Sequence, residues 1–214
     1  MDRRRFLCSA GAALALAPAL RAQNCQIVPP GVALCVAEVN IPQLIASIHQ
    51  QECPEWCWAA SISMIFGFYG HSTDQKEIVQ QKYGSVVCLP SGPTINIAQA
   101  LSRCWKDDNG VSFKSRIVAA YDPANGVNAI NNAIFVSELL SNHPLLYCNT
   151  HHAMVIYSTA YIPTQPLPNV RAVKVVDPWP PSPRTHELST PEMVPAHLNG
   201  QMTFLASVRV SSPC

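Results

Sequence analysis

The sequence predicts an α+β fold, in which a helical first half packs on an antiparallel β-sheet formed by the second half. Three observations support this prediction. Apolar residues recur at helical spacing in several segments before Pro144, and β-branched and aromatic residues dominate the segments after it. Gly, Pro and Asn residues separate these segments, as expected for connecting turns.

The predicted helices have recognisable ends. Gly70 follows the first long apolar run, Gly84 follows the next helix, and Pro144 ends the last one. Thr73 or Asp74 can cap the second helix by accepting hydrogen bonds from its first turn. The predicted helices cover residues 57–69, 74–83, 95–104 and 128–143, with one or two short turns at 38–49.

The predicted strands follow Pro144. Their β-branched and aromatic side chains suit a pleated, half-buried surface. The proline-rich run at residues 179–183 cannot continue a central strand, because proline donates no backbone hydrogen bond. The predicted strands cover residues 145–149, 152–162, 170–177 and 203–210.

Residues 1–22 have the pattern of a secretory signal peptide, with three arginines, a short run rich in Ala and Leu, and then small residues. The apolar run is too short to anchor the chain in a bilayer. Arg4-Arg5 followed by Phe-Leu is typical of twin-arginine export, although the general secretory route also fits. We therefore expect an exported protein, periplasmic or secreted, with residues 23–214 as one domain.

The charge balance excludes some kinds of partner. The predicted signal holds four of the 14 basic residues and one of the 13 acidic residues, which leaves 10 basic and 12 acidic residues in the domain. Such a balance gives no attraction for nucleic acid or for an anionic membrane surface. We expect neither as a partner, and no membrane anchor once the signal is removed.

Cysteine content agrees with export, because an oxidising compartment favours disulfides. If all eight cysteines of the domain are paired, Cys57 is bridged, with Cys88 or Cys104 as a candidate partner. If Cys57 is free, a second cysteine must be free or must pair between chains. Spacing does not fix the connectivity, although Cys25–Cys35 and Cys88–Cys104 are close in sequence. The eight are Cys25, Cys35, Cys53, Cys57, Cys88, Cys104, Cys148 and Cys214.

The stretch QECPEWCWAA, residues 51–60, places Cys57 where the first long helix begins. A helix N-terminus favours negative charge, and the thiolate is the reactive form of cysteine. A neighbouring imidazole could carry the proton, and a third group could orient that imidazole. His151 or His152 can supply the imidazole, since only one of two adjacent strand residues faces the thiol. Asp177 can supply the third group.

The segment around Cys57, residues 51–60, resembles the active-site segment of papain-like cysteine proteases. Gln51 stands six positions before Cys57, and Trp58 and Ala59 follow the cysteine directly. The 95 positions from Cys57 to His152 are fewer than in the plant and lysosomal members, which implies trimmed substrate-binding loops.

The other two segments extend this resemblance. His152-Ala153, followed by an apolar strand, is similar to the family's histidine segment. Asp177, followed two positions later by Trp179, is similar to the segment that carries the third residue. The chain order of Cys, His and Asp also agrees. Within the superfamily, the sequence looks most like the short bacterial, effector-type papain-like peptidases.

The resemblance implies a papain-like fold with the active site between its helical and β parts. It implies that Cys57 is the nucleophile, His152 the general base and acid, Asp177 the residue that orients His152, and Gln51 an oxyanion donor. The implied function is an exported cysteine endopeptidase that hydrolyses peptide bonds through a thioester. Its partner would be a protein or peptide substrate, and neither a cofactor nor a metal is implied.

Other interpretations remain open from the residues alone. Gln50 could replace Gln51, and Asp177 could cap an Asp-Pro turn. Cys53 and Cys57 with His151 or His152 could bind zinc, although the spacing is loose and we expect Cys53 in a disulfide near the site. A transglutaminase-like acyltransferase uses the same order of Cys, His and Asp, and an inactive papain-fold binding protein is the remaining alternative.

Overall fold

A computed structural model describes residues 24–181 and 184–214. The predicted signal peptide, residues 1–22, lies outside the described residues. The helices are Ile41–Ile45 (α1), Cys57–Phe68 (α2), Gln75–Tyr83 (α3), Thr94–Ala100 (α4), Asn132–Leu140 (α5) and Thr190–Met193 (α6). The strands are Asn24–Val28 (β1), Val32–Glu38 (β2), Cys104–Lys106 (β3), Ser112–Asp122 (β4), Val127–Asn128 (β5), Leu145–Asn149 (β6), Ala153–Ile162 (β7), Asn169–Asp177 (β8), Arg184–Glu187 (β9) and Met202–Ser211 (β10).

The strands form one antiparallel sheet, so the α+β class is confirmed. The main path through the sheet is β1-β2-β7-β6-β10-β4-β3, while β5 pairs with β4 and β8 joins β7 to β9. Strand β7 pairs with β6 near its start, with β2 further along, and with β8 on its other edge. The turn before β7 and the end of β8 are therefore held side by side.

The prediction of a helical first half was wrong, because β1 to β5 precede Pro144. In β4, Phe113 and Ser115 are buried while Lys114 and Arg116 are exposed, a period-two pattern that short polar side chains made hard to recognise. The predicted helix at 95–104 ends early, at Ala100, because Cys104 already belongs to β3. The four strands predicted after Pro144 correspond to β6, β7, β8 and β10.

Helix α2 lies at the centre of the helical layer. Ten of its twelve residues are buried, and it packs on β6 and β7 on one side and on α3 on the other. Small residues such as Ala59, Ala60 and Ser61 permit this close packing. Asp74 caps α3 and Gly84 ends it with a φ of 73°, as predicted.

Three disulfides are present in the described part of the chain: Cys25–Cys35, Cys53–Cys88 and Cys104–Cys214. The expectation of a bridged Cys53 is confirmed. Of the two pairs that are close in sequence, Cys25 and Cys35 are bonded to each other, whereas Cys88 and Cys104 each have another partner. Cys57 is free. Cys148 is the second free thiol, as expected when one of an even number of cysteines is unpaired. Disulfides of this number are typical of proteins from an oxidising compartment. Among the described residues, no helix has the length and apolar character needed to cross a membrane.

Candidate active site

Cys57 is the first residue of α2 and is partly exposed, unlike the buried residues that follow it. The N-cap residue, Trp56, makes no side-chain hydrogen bond to the helix start. The first-turn N–H groups of a helix have no acceptors within the helix. Their partial positive charge favours an anion at the start of a helix, and Cys57 is the first residue of α2.

One wall beside Cys57 is the loop of residues 85–93, which we call the wall loop. The indole N–H of Trp56 donates to the Val87 carbonyl over 2.9 Å, and that of Trp58 donates to the Leu89 carbonyl over 3.4 Å. The Cys53–Cys88 disulfide ties the same loop to the segment before α2. The two tryptophans that flank Cys57 in sequence therefore hold a wall of the site.

We expect the double variant Cys53→Ser/Cys88→Ser to lower the free energy of unfolding by about 2–4 kcal/mol, because the disulfide closes a long loop. Hydrogen exchange at residues 85–93 should become faster at the same time. Thermal unfolding without reductant and exchange mass spectrometry measure the two effects. The matched control is Cys25→Ser/Cys35→Ser, which should leave exchange in the wall loop unchanged. Equal exchange in both double variants would contradict a role for Cys53–Cys88 in holding the wall.

His152 lies in the turn between β6 and β7, and Asn149 shapes that turn. The Asn149 side-chain oxygen accepts the N–H of His151 over 2.9 Å and that of His152 over 2.7 Å. The Asn149 N–H donates in turn to the His152 carbonyl over 2.9 Å. His151 is left exposed, and it is His152 that turns toward Asp177.

Asp177, the last residue of β8, orients His152. Its Oδ1 lies 2.6 Å from Nε2 of His152 and also accepts the Trp179 N–H over 2.8 Å. With Nε2 bonded to Asp177, Nδ1 is the ring nitrogen left free for Cys57. The Trp179 ring packs edge-on against the imidazole, with ring centres 5.9 Å apart.

The charges of these groups are coupled. Burial disfavours the charged imidazolium, but hydrogen bonds to Asp177 and Cys57 outweigh it and raise the pKa of His152 to about 9. Burial opposes the charge on Asp177 as well, and the hydrogen bond with His152 overcomes it and lowers the pKa of that carboxyl. Near neutral pH, the arrangement therefore favours a protonated imidazole between a carboxylate and the thiol.

Gln51 is buried, with 3% of its surface exposed. Its backbone N–H donates to the Pro178 carbonyl over 2.8 Å, which links the segment before α2 to the segment after Asp177. Its side-chain amide donates to the carbonyls of Cys53 and Pro54, over 3.0 and 2.8 Å. In this structure the amide holds the turn before Cys57 and both of its N–H groups are engaged.

The cavity around Cys57, which we call the active-site groove, has a volume of about 1020 Å³. The wall loop contributes one side, and the turn carrying His152 contributes another. Trp179 and the segment 123–125 complete its rim. Cys57 and His152 both face the groove, so an extended polymer could reach them.

Sequence reasoning missed two residues of this region. Asn149 ends a strand ahead of a short turn, and an Asn at that place is a turn signal that could have indicated it. Cys148 lines the active-site groove as a buried thiol. Burial, followed by the charge of Cys57, raises the pKa of Cys148 well above the usual range.

The zinc alternative needed Cys53 as a thiolate, and Cys53 is instead bonded to Cys88.

No model of a known protein family matches the chain, and no curated protein matches its sequence.

Proposed function

We propose that the protein is an exported papain-like cysteine peptidase that cleaves peptide bonds in protein substrates. The observation that carries this proposal is the convergence of Cys57, His152 and Asp177 from three separate elements at one open groove. A nucleophile within reach of a base that is itself oriented by a third group is the arrangement required for covalent catalysis.

The reaction begins with attack of the Cys57 thiolate on a substrate carbonyl carbon. A tetrahedral oxyanion forms, and the His152 imidazolium gives its proton to the leaving amine as the C–N bond breaks. The remaining thioester is attacked by water, whose proton passes to His152. Breaking of the C–S bond then restores the thiolate and releases a carboxylic acid, which loses its proton to the solvent.

The oxyanion needs hydrogen-bond donors near Cys57. The Cys57 N–H belongs to the first turn of α2 and is one candidate. Gln51 can supply a second donor only by exchanging one of its two carbonyl acceptors for the substrate oxygen. Because both amide N–H groups of Gln51 are already hydrogen-bonded without substrate, Gln51 would complete the oxyanion site only when substrate binds.

The location of the protein supports the same proposal. The signal-like residues 1–22 and the disulfides indicate a protein that works in the periplasm or outside the cell. Cys53, the cysteine nearest to Cys57 in sequence, is bonded to Cys88 and is not available to pair with Cys57.

The experiment that tests the function is digestion of fluorescent casein in water labelled with heavy oxygen. A peptidase should release soluble peptides whose new carboxylates each carry heavy oxygen. An acyltransferase should instead join casein to an added primary amine. If neither product appears while iodoacetamide still modifies Cys57, the peptidase proposal fails and an inactive papain-fold protein is favoured.

A further inference from the structure

A second cavity lies on the other face of the sheet, and we call it the distal cavity. Adjacent strand residues point to opposite faces. On β6, Cys148 lines the active-site groove whereas its neighbour Tyr147 lines the distal cavity. The two cavities therefore lie back to back across this strand.

The distal cavity is large enough for a ligand and carries no charge. Its volume is about 440 Å³, within the range of cavities that hold small organic ligands. None of its lining residues in the described part of the chain is Asp, Glu, Lys, Arg or His. Apolar and aromatic side chains form most of the lining, among them Phe135, Tyr147, Val170, Val173, Met193 and Leu205.

Polar groups occur as uncharged side chains. Asn128, Asn131, Asn132 and Thr190 contribute amide and hydroxyl groups to the lining. An ion that entered the apolar part of the distal cavity would lose hydration without meeting an opposite charge, whereas a neutral molecule would not bear this cost. The chemistry of the lining thus selects an uncharged, mainly apolar molecule with a hydrogen-bonding group.

The distal cavity and the active-site groove share a wall, residues 194–197. Val194 and Pro195 line the distal cavity, and the next two residues, Ala196 and His197, line the groove. A hydrogen bond crosses the wall, since the Tyr121 hydroxyl lies 2.9 Å from Nδ1 of His197. Tyr121 itself lines the distal cavity, so a molecule that shifts its ring acts directly on a side chain of the groove.

We propose that the distal cavity binds an uncharged, mainly apolar small molecule and that its occupation changes the active-site groove through the wall at residues 194–197. The proposal adds an effector site to the protein. It does not depend on peptidase activity, because the reactivity of the Cys57 thiol reports the state of the groove.

The test compares two dyes with the same apolar body. N-phenyl-1-naphthylamine is uncharged, and 8-anilinonaphthalene-1-sulfonate adds a sulfonate to the same body. We expect the neutral dye to bind with a rise in fluorescence and the sulfonate to bind at least about tenfold more weakly. Equal affinity for the two dyes, or no binding of the neutral dye, would overturn the proposal.

Filling variants locate the binding. Met193→Trp should weaken binding of the neutral dye at least about tenfold, because the larger ring occupies the distal cavity. Val170→Trp serves as a second filling variant if the first does not fold, and thermal unfolding checks both. The matched control is Ile45→Trp on the exposed face of α1, which should bind the dye as the unmodified protein does. Unchanged binding in a folded filling variant would refute the site.

The coupling is read from the rate of iodoacetamide modification of Cys57. Saturating neutral dye should change this rate at least about twofold. Tyr121→Phe keeps the ring but loses the hydroxyl that contacts His197, so it should reduce the change when the dye concentration is raised to saturate this variant as well. An identical rate with and without dye would overturn the coupling. A failed casein digestion, by contrast, would leave this test intact and count only against the peptidase.

Discussion

Casein hydrolysis by Cys57→Ala should fall at least about 10⁴-fold, because removal of the nucleophile from a catalytic triad leaves only binding and oxyanion stabilisation. Cys57 is the free, partly exposed thiol at the start of α2, and no other described thiol is exposed to substrate. Initial rates with fluorescent casein, measured on variants whose thermal unfolding matches that of the unmodified protein, give the comparison.

Cys148→Ala is the matched cysteine control. Cys148 also lines the active-site groove, but its thiol is buried and its raised pKa keeps it protonated. A protonated thiol is a poor nucleophile, so this variant should retain activity within about tenfold of the unmodified protein. A collapse of activity in Cys148→Ala with little loss in Cys57→Ala would reverse the assignment of the nucleophile.

The second large effect concerns Asp177→Ala. Asp177 holds His152 through Nε2 and is the leading contribution that raises the pKa of the imidazole. Its loss should lower the rate near neutral pH about 100-fold or more, within the range attributed to general acid–base catalysis. The Trp179 N–H loses its acceptor as well, so the ring that covers His152 is less firmly placed.

The pH profile distinguishes a catalytic from a structural role for Asp177. Because the pKa of His152 is raised to about 9, the imidazolium persists below that pH and is lost as the pH rises through it. The acylation rate should therefore fall on the alkaline side near pH 9, and Asp177→Ala should move this fall to lower pH. Glu187→Gln, an exposed carboxylate on the neighbouring strand β9, is the control and should leave the profile in place. An alkaline limb at the same pH in Asp177→Ala would contradict the orientation of His152 by this carboxylate.

Local signals explain which parts of the fold could be predicted. Helices α2 and α3 have strong ends, at Gly70 and at Asp74 and Gly84, and their positions follow from these residues. Strand β7 is rich in β-branched and aromatic residues, Val recurs along β8, and β6 is apolar up to Asn149. In contrast, β1 is an exposed strand whose place depends on pairing with β2, and no periodicity marks it.

The candidate site follows the same division. Cys57, His152 and Asp177 stand at or next to the ends of well-marked elements, and the resemblance of their short segments to those of papain-like proteases predicted that they meet. The amide of Gln51 could not be oriented in this way, because its direction depends on the carbonyls of a turn with no repeating pattern. Disulfide partners such as Cys104 and Cys214 lie 110 positions apart, and only the folded sheet brings them together.

The wall loop gives this protein opposing redox requirements within a few residues. Cys57 must stay reduced for the nucleophilic role that we propose, while Cys53 must stay oxidised to keep its bond to Cys88. A strong thiol reductant that keeps Cys57 reduced also reduces the Cys53–Cys88 disulfide. Conditions that are too oxidising would consume the Cys57 thiol, and conditions that are too reducing would release the wall loop from the segment before α2.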